Sequence, residues 1–300
     1  MNIRIESIGS VMHDTGSKAD SMGLLEVASK ECLEKSKYIS HDVDVLLYTG
    51  VYRSDFLLEP AIAAILAKQL DLNAKMQDDR RTFAFDIMNG GIGFFNAIIT
   101  AINFIKSGNS KTAMIATAEI ENNREKEGTE LLGLNEAAAT IIVESTLDNE
   151  GFGEYLIKNF TEEIDDRQTE LKWLEGTGVS YLENKIATDS DQKYLTCIYK
   201  TLEEYLKTTN QSLESFDVII PPQTSHEFCE ALQDGLGLEK GKLINVFDLC
   251  SADDDKDFLT SSLPFTLKEG IDQQLIKPGD KALFICAGSG IQIGCISHQF

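Results

Sequence analysis

The sequence has few of the features that would take a chain into or across a membrane. No apolar run reaches the roughly 18 residues that a membrane-spanning helix needs. Residues 1–6 alternate apolar and polar side chains, which is typical of a β-strand, whereas a signal peptide would need a basic flank followed by an apolar stretch. We therefore expect a cytoplasmic protein that does not act at a membrane.

Basic side chains are also scarce. Lysine and arginine number 27 against 49 aspartates and glutamates, so the formal net charge at pH 7 is -22. Nucleic acid and anionic lipid are poor partners for so acidic a chain. The charge favours a basic protein partner, and the alternative interpretation is that it serves solubility alone.

Paired, metal-binding cysteines are missing. The six cysteines include no CxxC pair, and most lie in apolar runs such as the one around Cys286. A disulfide framework or a zinc site is therefore disfavoured, and reduced cysteines in a buried core are expected. The densest charge run, residues 253–257, lacks the glycine and the terminal glutamate of a calcium loop and is interpreted as a solvated helix start. The sequence thus predicts neither a metal nor a cofactor.

The sequence does contain an internal repeat. Residues 104–115 resemble residues 274–285, and residues 38–47 resemble residues 211–220. Each of the four segments has the pattern of a helix end, a polar turn and a strand. Two similar α/β halves are therefore predicted.

The predicted halves are residues 1–150 and residues 151–300. Strands alternate with helices in both, which implies mixed sheets with helices between them. Residues 91–105 are apolar on every face, so they are predicted to form a fully buried helix that lies, with its counterpart from the second half, between two sheets. Residues 243–247 are predicted to form a strand.

A family resemblance is carried by this duplication and by three short segments in a fixed order. The first is Phe-Asp at 85–86 with Gly-Phe at 93–94, the second is Ile-Ile-Pro-x-Gln at 219–223, and the third joins Lys-Pro-Gly-Asp at 277–280 to Gly-Ser-Gly at 288–290. Together they resemble β-ketoacyl-acyl carrier protein synthase III. That resemblance implies the thiolase fold, an α/β fold with five layers in the order αβαβα.

Active members of this family use a cysteine, a histidine and an asparagine. The cysteine lies at the start of the buried central helix, where the helix dipole favours the thiolate that attacks an acyl thioester. The histidine and the asparagine stabilise the thioester oxyanion and support decarboxylation of a malonyl donor.

All three residues are missing here. The resemblance places Gly91 at the cysteine position and Pro222 at the histidine position, and residues 246–262, where the asparagine belongs, contain none, with Ser251 nearest. Glycine offers no nucleophile and proline offers no side-chain donor, acceptor or base, so the resemblance implies degenerate positions and no catalytic residue. The pocket around these positions is expected to include Met88, Asn89, Gly90 and Gln223.

Two nearby side chains could replace the lost chemistry, and neither is favoured. His226 is expected to start or cap a helix rather than to face Gly91. Cys250 lies between apolar and acidic residues, which raise the pKa of a thiol. The coenzyme A lid is also missing, because active members cover the adenine with a long insertion that carries tryptophan and arginine, whereas the single tryptophan here is Trp173.

These absences predict a non-catalytic subunit. Some condensing enzymes, such as quinolone-forming and aromatic polyketide synthases, pair an active, cysteine-containing ketosynthase with a subunit that lacks the cysteine. We expect this chain to complete such a heterodimer, with an acyl carrier protein engaged only through the active partner. The resemblance places the strand at residues 111–117 and one loop at the dimer contact. The expected interface residues of that loop are Tyr52, Arg53, Phe56, Leu57, Leu58 and Glu59, and the alternative is an apolar loop under its own core.

Two other function classes stay open. One is an acyltransferase or hydrolase with altered chemistry, in which backbone N–H groups at Gly90 and Gly91 hold an oxyanion and Glu119 or Glu121 supplies the base. The alternative role of Glu119 is to hold a backbone turn. The other class is a small-molecule binding or scaffold protein.

Overall fold

The computed structural model describes residues 1–13, 19–54, 57–72, 81–124 and 128–300. The strands in these ranges are β1 (Asn2–Met12), β2 (Val45–Tyr48), β3 (Phe83–Asp86), β4 (Thr112–Glu119), β5 (Ala137–Thr146), β6 (Gly151–Asn159), β7 (Arg167–Trp173), β8 (Ser180–Ile186), β9 (Val218–Ile220), β10 (Lys281–Gly288) and β11 (Gln292–Gln299). The α-helices are α1 (Ser21–Lys35), α2 (Ile62–Gln69), α3 (Gly93–Lys106), α4 (Ser190–Thr209), α5 (His226–Gly235) and α6 (Ser262–Asp272).

Two mixed sheets organise the chain. The first has the strand order β1-β5-β4-β2-β3 and takes its strands from residues 2–146, and the second has the order β6-β11-β10-β9 and takes its strands from residues 151–299. In the first sheet β2 runs parallel to β3 and β4, whereas β5 runs antiparallel to β1 and β4. In the second, β10 pairs in parallel with β9 and antiparallel with β11. The prediction of mixed sheets is confirmed, and β7 and β8 form a separate hairpin.

Three hydrophobic clusters show how the layers stack. Side chains of α3 and α6 share the central cluster with both sheets, including Ile115 of β4 and Phe284 of β10. The next residue of β10, Ile285, points to the opposite face and packs with α4 and α5, as the two-residue period of a strand requires. Helices α1 and α2 cover the outer face of the first sheet. The resulting order of helices, sheet, helices, sheet, helices has the five layers that the resemblance implied.

The central helix α3 begins two residues later than predicted. Its side chains, such as Phe94 and Phe95, are buried because both sheets pack against it. Gly90 adopts a φ of +53°, a left-handed conformation that glycine tolerates, and Gly91 lies in the turn that follows. The helix therefore starts at Gly93, and Gly90 and Gly91 lie just before its first turn.

The prediction of a strand at residues 243–247 is wrong. Leu243 forms only an isolated bridge to Ile219, and a short 3₁₀ helix, Val246–Asp248, takes up the end of that stretch. The side chain of Gln223 accepts the N–H of Val246 at 3.0 Å, and the side chain of Asn245 accepts the N–H of Phe247 at 3.3 Å. These side-chain acceptors take the backbone donors that a neighbouring strand would otherwise have bound.

The expectation that the strand at residues 111–117 lies at the dimer contact is also wrong. That stretch lies largely in β4, between β2 and β5, with every residue of β4 buried. A central strand has no free edge to offer a partner. The edge on that side of the first sheet is β3.

Membrane spans, metal-binding groups and cysteine pairing were considered for the described part of the chain. Within it, no helix is both long enough and apolar enough to cross a membrane. No group of three or more His, Cys, Asp or Glu side chains there is placed to hold a metal ion. All six cysteines are free, and five of them are buried.

Candidate functional site

A cleft of about 410 Å³ lies beside the start of α3. Its other walls come from the end of β10, the segments around the starts of α5 and α6, and the β7–β8 hairpin. It brings together Gly91 and Pro222, the positions expected for the lost cysteine and histidine. Its apolar lining side chains include Phe94, Leu132, Leu134, Ile186, Leu259 and Leu263.

Gly91 has no room for a side chain. A Cβ atom added there would lie 2.7 Å from the carbonyl oxygen of Ala287, which is closer than Cβ atoms approach other atoms in proteins. The obstructing atom belongs to the backbone of β10, so it cannot rotate away as the end of a flexible side chain could. Packing therefore requires glycine at residue 91, where the sequence resemblance places the family's nucleophile.

Pro222 follows β9 and is buried in the cleft wall. Its carbonyl oxygen accepts a weak hydrogen bond from the Cys229 thiol at 3.6 Å. The ring of a proline can neither take up nor deliver a proton. Pro222 thus contributes shape to the cleft and no acid–base chemistry.

Asp257, and not Ser251, lines the cleft. Ser251 is exposed and lies outside the cleft, so the expectation placed on it is corrected, whereas Asp257 lines the cleft with a side chain only 16% exposed. Burial raises the pKa of Asp257, and the nearby Arg167 guanidinium opposes that rise. The Asp257 N–H donates to the Gly133 carbonyl at 2.9 Å, which holds the segment against the opposite rim.

Arg167 is a cleft residue that sequence reasoning missed. It lies at the start of β7, with Nη1 3.3 Å from the Asp257 carboxylate and its guanidinium 5.0 Å from the centre of the Tyr194 ring. Its Nε donates to the Ser190 hydroxyl at 3.2 Å. These contacts bind the β7–β8 hairpin to the cleft and occupy the one arginine that lines it among the described residues.

Comparison with known sequences finds similar proteins for most of the chain. A family described as 3-oxoacyl-[acyl-carrier-protein (ACP)] synthase III C terminal matches residues 206–300. The β-ketoacyl-[acyl-carrier-protein] synthase III of Clostridium tetani is 26% identical over 282 residues, which cover 88% of this chain and 79% of the relative. The protein of the same name from Aliarcobacter butzleri is 25% identical over 318 residues and covers 99% of this chain and 86% of its own length.

Solved structures agree on the fold. The 3-oxoacyl-[acyl-carrier-protein] synthase III of Aquifex aeolicus superposes with a TM-score of 0.80 at 18% identity, covering 99% of this chain and 100% of its own. A variant of Xanthomonas campestris OleA, solved with lauric acid and lauroyl-CoA, superposes with a TM-score of 0.82 at 15% identity, covering 100% and 99%. This chain has the fold of these proteins, and its residues 206–300 match the family of the 3-oxoacyl-[acyl-carrier-protein] synthase III C terminus. The thiolase fold predicted from the sequence is confirmed.

The pocket residues expected from the sequence do not line the cleft. Gln223 is fully buried, and its amide nitrogen donates to the carbonyls of Pro221 and Ile244 at 3.1 and 3.0 Å. Asn89 is turned toward the side chains of Asn96 and Gln292, at 2.7 and 3.0 Å.

The other two expected pocket residues also lie outside the cleft. Met88 is 54% exposed, and its sulfur contacts the Arg53 guanidinium instead. Gly90 has no side chain to direct inward and serves the turn before α3. Gly91 is therefore the member of this turn that reaches the cleft, since the chain reverses direction there.

None of the possible substitute side chains is placed as a free nucleophile or base in the cleft. Cys286 lines the cleft, but burial raises the pKa of its thiol to about 12, so it stays protonated at neutral pH. His226 is the first residue of α5 and pairs with Asp248 at 3.1 Å, a contact that raises the pKa of the imidazole. Cys250 directs its sulfur to the Val246 carbonyl, and burial raises its pKa.

Glu119 and Glu121 hold backbone turns. Glu119 is fully buried at the end of β4 and accepts the N–H groups of Val51 and Tyr52 at 3.0 and 2.7 Å, together with the Thr260 hydroxyl. Burial raises the pKa of Glu119 to about 7. Glu121 accepts backbone N–H groups at residues 123, 132 and 133, which fixes one rim of the cleft.

The loop predicted as an interface is anchored from inside. Arg53 is buried and pairs with Asp86 at 3.1 Å, so it serves its own subunit and is not a free anchor for a partner. Tyr52 reaches the cleft, where its hydroxyl lies 2.8 Å from that of Thr169 on β7. Leu57 is partly buried against the outer cluster of the first sheet, whereas Leu58 and Glu59 are exposed. Phe56 lies outside the described residues.

Proposed function

We propose that this chain is a non-condensing subunit that pairs with an active, cysteine-containing ketosynthase and shapes the active site of that partner. The observation that carries the proposal is the contact at Gly91, where the backbone of β10 occupies the space that a catalytic side chain would need. Pro222 and the ion-paired Asp257 supply no replacement. The pair would make a polyketide, a quinolone or a fatty-acid-derived product of secondary metabolism in the cytoplasm.

An exposed apolar surface at one edge of the first sheet supports pairing. Among the described strands β3 pairs with β2 alone, so its outer edge is open to a further strand. Phe83 of β3 is 56% exposed, and its ring lies 4.9 Å from that of Phe85. Large apolar side chains on an open edge strand favour association with another chain.

The predicted interface loop adjoins this edge. Arg53 joins the two, because its Nη1 donates to the Leu57 carbonyl at 3.2 Å and its Nη2 contacts the sulfur of Met88, two residues beyond β3. Leu58 is 84% exposed beside that contact. The described part of the loop is thus anchored from within, and it presents the large apolar side chain of Leu58 outward, which is the arrangement of an interface anchor.

Replacing Leu58 by aspartate is expected to weaken pairing at least about tenfold, because a carboxylate would be buried in an apolar contact. Leu58→Asp and wild type would be titrated against the partner ketosynthase, with light scattering after gel filtration to read the complex. Leu147→Asp is the matched control, since Leu147 is 95% exposed in the turn after β5. Equal weakening by both variants, or by neither, would exclude Leu58 from the interface.

The function itself is tested by reconstitution. The chain would be co-expressed with a basic, cysteine-containing ketosynthase III-like protein of the same genome, and condensation of an acyl thioester with malonyl-acyl carrier protein measured for each subunit and for the complex. The proposal predicts activity in the complex, little or none in the partner alone and none in this chain. A stable homodimer that ignores every such ketosynthase would refute it.

One observation favours a second function, the transfer or hydrolysis of acyl groups by a residue other than cysteine. The Thr260 hydroxyl belongs to the cleft lining and donates to Glu119, whose pKa near 7 suits a general base. Under this alternative, the isolated chain hydrolyses p-nitrophenyl acyl esters and Thr260→Val abolishes the activity. Under the main proposal, wild type and variant show the same background rate.

A further inference from the structure

Charge in the cleft is strongly unbalanced. Among the lining residues that the structure describes, Arg167 is the only cation, and the carboxylates are Asp191, Glu227, Asp255 and Asp257. Arg167 is itself neutralised, with Nη1 3.3 Å from Asp257 and Nη2 3.6 Å from Asp191. An incoming anion therefore meets no unpaired positive group, and it meets an excess of negative charge.

The remaining lining suits a hydrocarbon chain. Phe94 and Leu263 are buried beside Gly91, and Leu132, Leu134 and Ile186 continue the apolar surface. A cavity of about 410 Å³ is in the range that holds small ligands. The compound that fits both features has a short apolar chain and either no charge or a positive one.

We propose that the cleft binds uncharged or amine-bearing hydrocarbon compounds and excludes carboxylates, and that Asp257 sets this preference by pairing with Arg167. The inference rests on the proposed function in one respect: a non-condensing cleft has no need to admit the carboxylate of a malonyl donor or the phosphate of phosphopantetheine. It adds a ligand class and a residue that determines specificity.

The ion pair of Asp257 with Arg167 determines the proposed ligand preference. Asp257 and Arg167 are both largely withdrawn from solvent, at 16% and 17% exposure, so the field of either one is weakly screened if its partner is removed. Removing the carboxylate while keeping the shape would leave Arg167 with Asp191, which is 60% exposed and more distant. The arginine would then be available to a ligand carboxylate.

Three compounds with the same chain length test the proposal: octylamine, octanol and octanoate, titrated at pH 7.5 by ligand-observed NMR. Wild type is expected to bind octylamine at least about tenfold more tightly than octanoate, with octanol between them. In Asp257→Asn, octanoate binding should tighten about tenfold, and the added change Arg167→Gln should remove that gain. Asp234→Asn, an exposed position on α5 outside the cleft lining, is the charge-matched control and should behave as wild type.

Three outcomes overturn the proposal: octanoate binding to wild type as tightly as octylamine, no binding of any of the three compounds, or an Asp257→Asn variant with the wild-type order of affinities. If Asp257→Asn does not fold, the comparison of amine and carboxylate on wild type alone decides. Pairing with the ketosynthase is measured separately, so a chain that shows the amine preference and never pairs refutes the proposed function and leaves this inference standing.

Discussion

Replacing Gly91 by cysteine is expected to destabilise the chain and to leave it unable to take up an acyl group. The new Cβ would lie 2.7 Å from the Ala287 carbonyl oxygen, so β10 or the turn before α3 must move to admit it. Forced repacking of this kind costs about 2 kcal/mol in the free energy of unfolding. Chemical denaturation measures that loss, and intact-protein mass spectrometry after incubation with acyl-coenzyme A detects any thioester.

Gly91→Ala separates the two effects, because it adds the same Cβ without a thiol. We expect both variants to lose stability to a similar extent and both to stay unmodified. The triple variant Gly91→Cys, Pro222→His, Asp257→Asn should also fail to condense, since the obstruction is in the backbone and not in the missing functional groups. A stable Gly91→Cys protein that carries one acyl group per chain would show that the cleft still has room for the family's nucleophile.

Acid is expected to destabilise the chain strongly through His298. This histidine of β11 is buried among the rings of Phe152, Phe284 and Phe300, and burial lowers the pKa of its imidazole to about 3. Its Nε2 accepts the N–H of Ile5, so protonation would also break that hydrogen bond. Above pH 6.5 neither the folded nor the unfolded chain protonates this histidine, and it makes no pH-dependent contribution.

Below pH 6.5 the unfolded chain gains a proton that the folded chain does not accept until about pH 3. The free energy of unfolding should therefore fall by about 3 kcal/mol between pH 7 and pH 4 on account of this residue alone. Denaturation curves at both pH values would be compared for wild type and His298→Gln, which keeps an acceptor for Ile5. The variant should be less stable at pH 7, because the ring contacts are lost, and should lose about 3 kcal/mol less on acidification. Equal losses would mean that His298 takes its proton while folded.

Much of the fold was predictable because its signals are local and periodic. The all-round apolar pattern of α3 predicts burial between two layers, and the repeated helix end, turn and strand predict the duplicated architecture. The 3₁₀ helix at Val246–Asp248 was not predictable in the same way. Its first backbone donor, the N–H of Val246, is taken by the side chain of Gln223, whose own position depends on the tertiary structure.

The candidate site, like the fold, was predictable where local motifs determine it and not where packing does. Gly91 and Pro222 belong to sequence motifs with fixed spacing, and both residues line the cleft. Asp257 is one acid in a run of similar residues, and only packing against the hairpin distinguishes it from its exposed neighbours. The hairpin has a weak sequence signal for a buried strand, because charged residues alternate along its outer face. Arg167 joins the cleft through its contact with Asp257, which lies 90 residues away in sequence.

The expected pocket failed for a related reason. Met88, Asn89 and Gly90 are adjacent to a cleft residue in sequence, but Met88 contacts Arg53 and Asn89 binds Asn96 and Gln292 instead. The collision at Gly91 likewise has no sequence signal, since it depends on where β10 runs relative to α3. Sequence comparison can show that a nucleophile is absent, whereas the structure shows that its space has been filled.

The most direct measurement uses the purified chain without any companion, mixed with an acyl-coenzyme A and malonyl-acyl carrier protein. Mass spectrometry would be used to find a covalent acyl group on the chain and a 3-ketoacyl product in solution. The account predicts an unmodified chain and no product, because no side chain that could attack the thioester fits at the head of α3. A stoichiometric acyl adduct, or product formed by the chain alone, would contradict it.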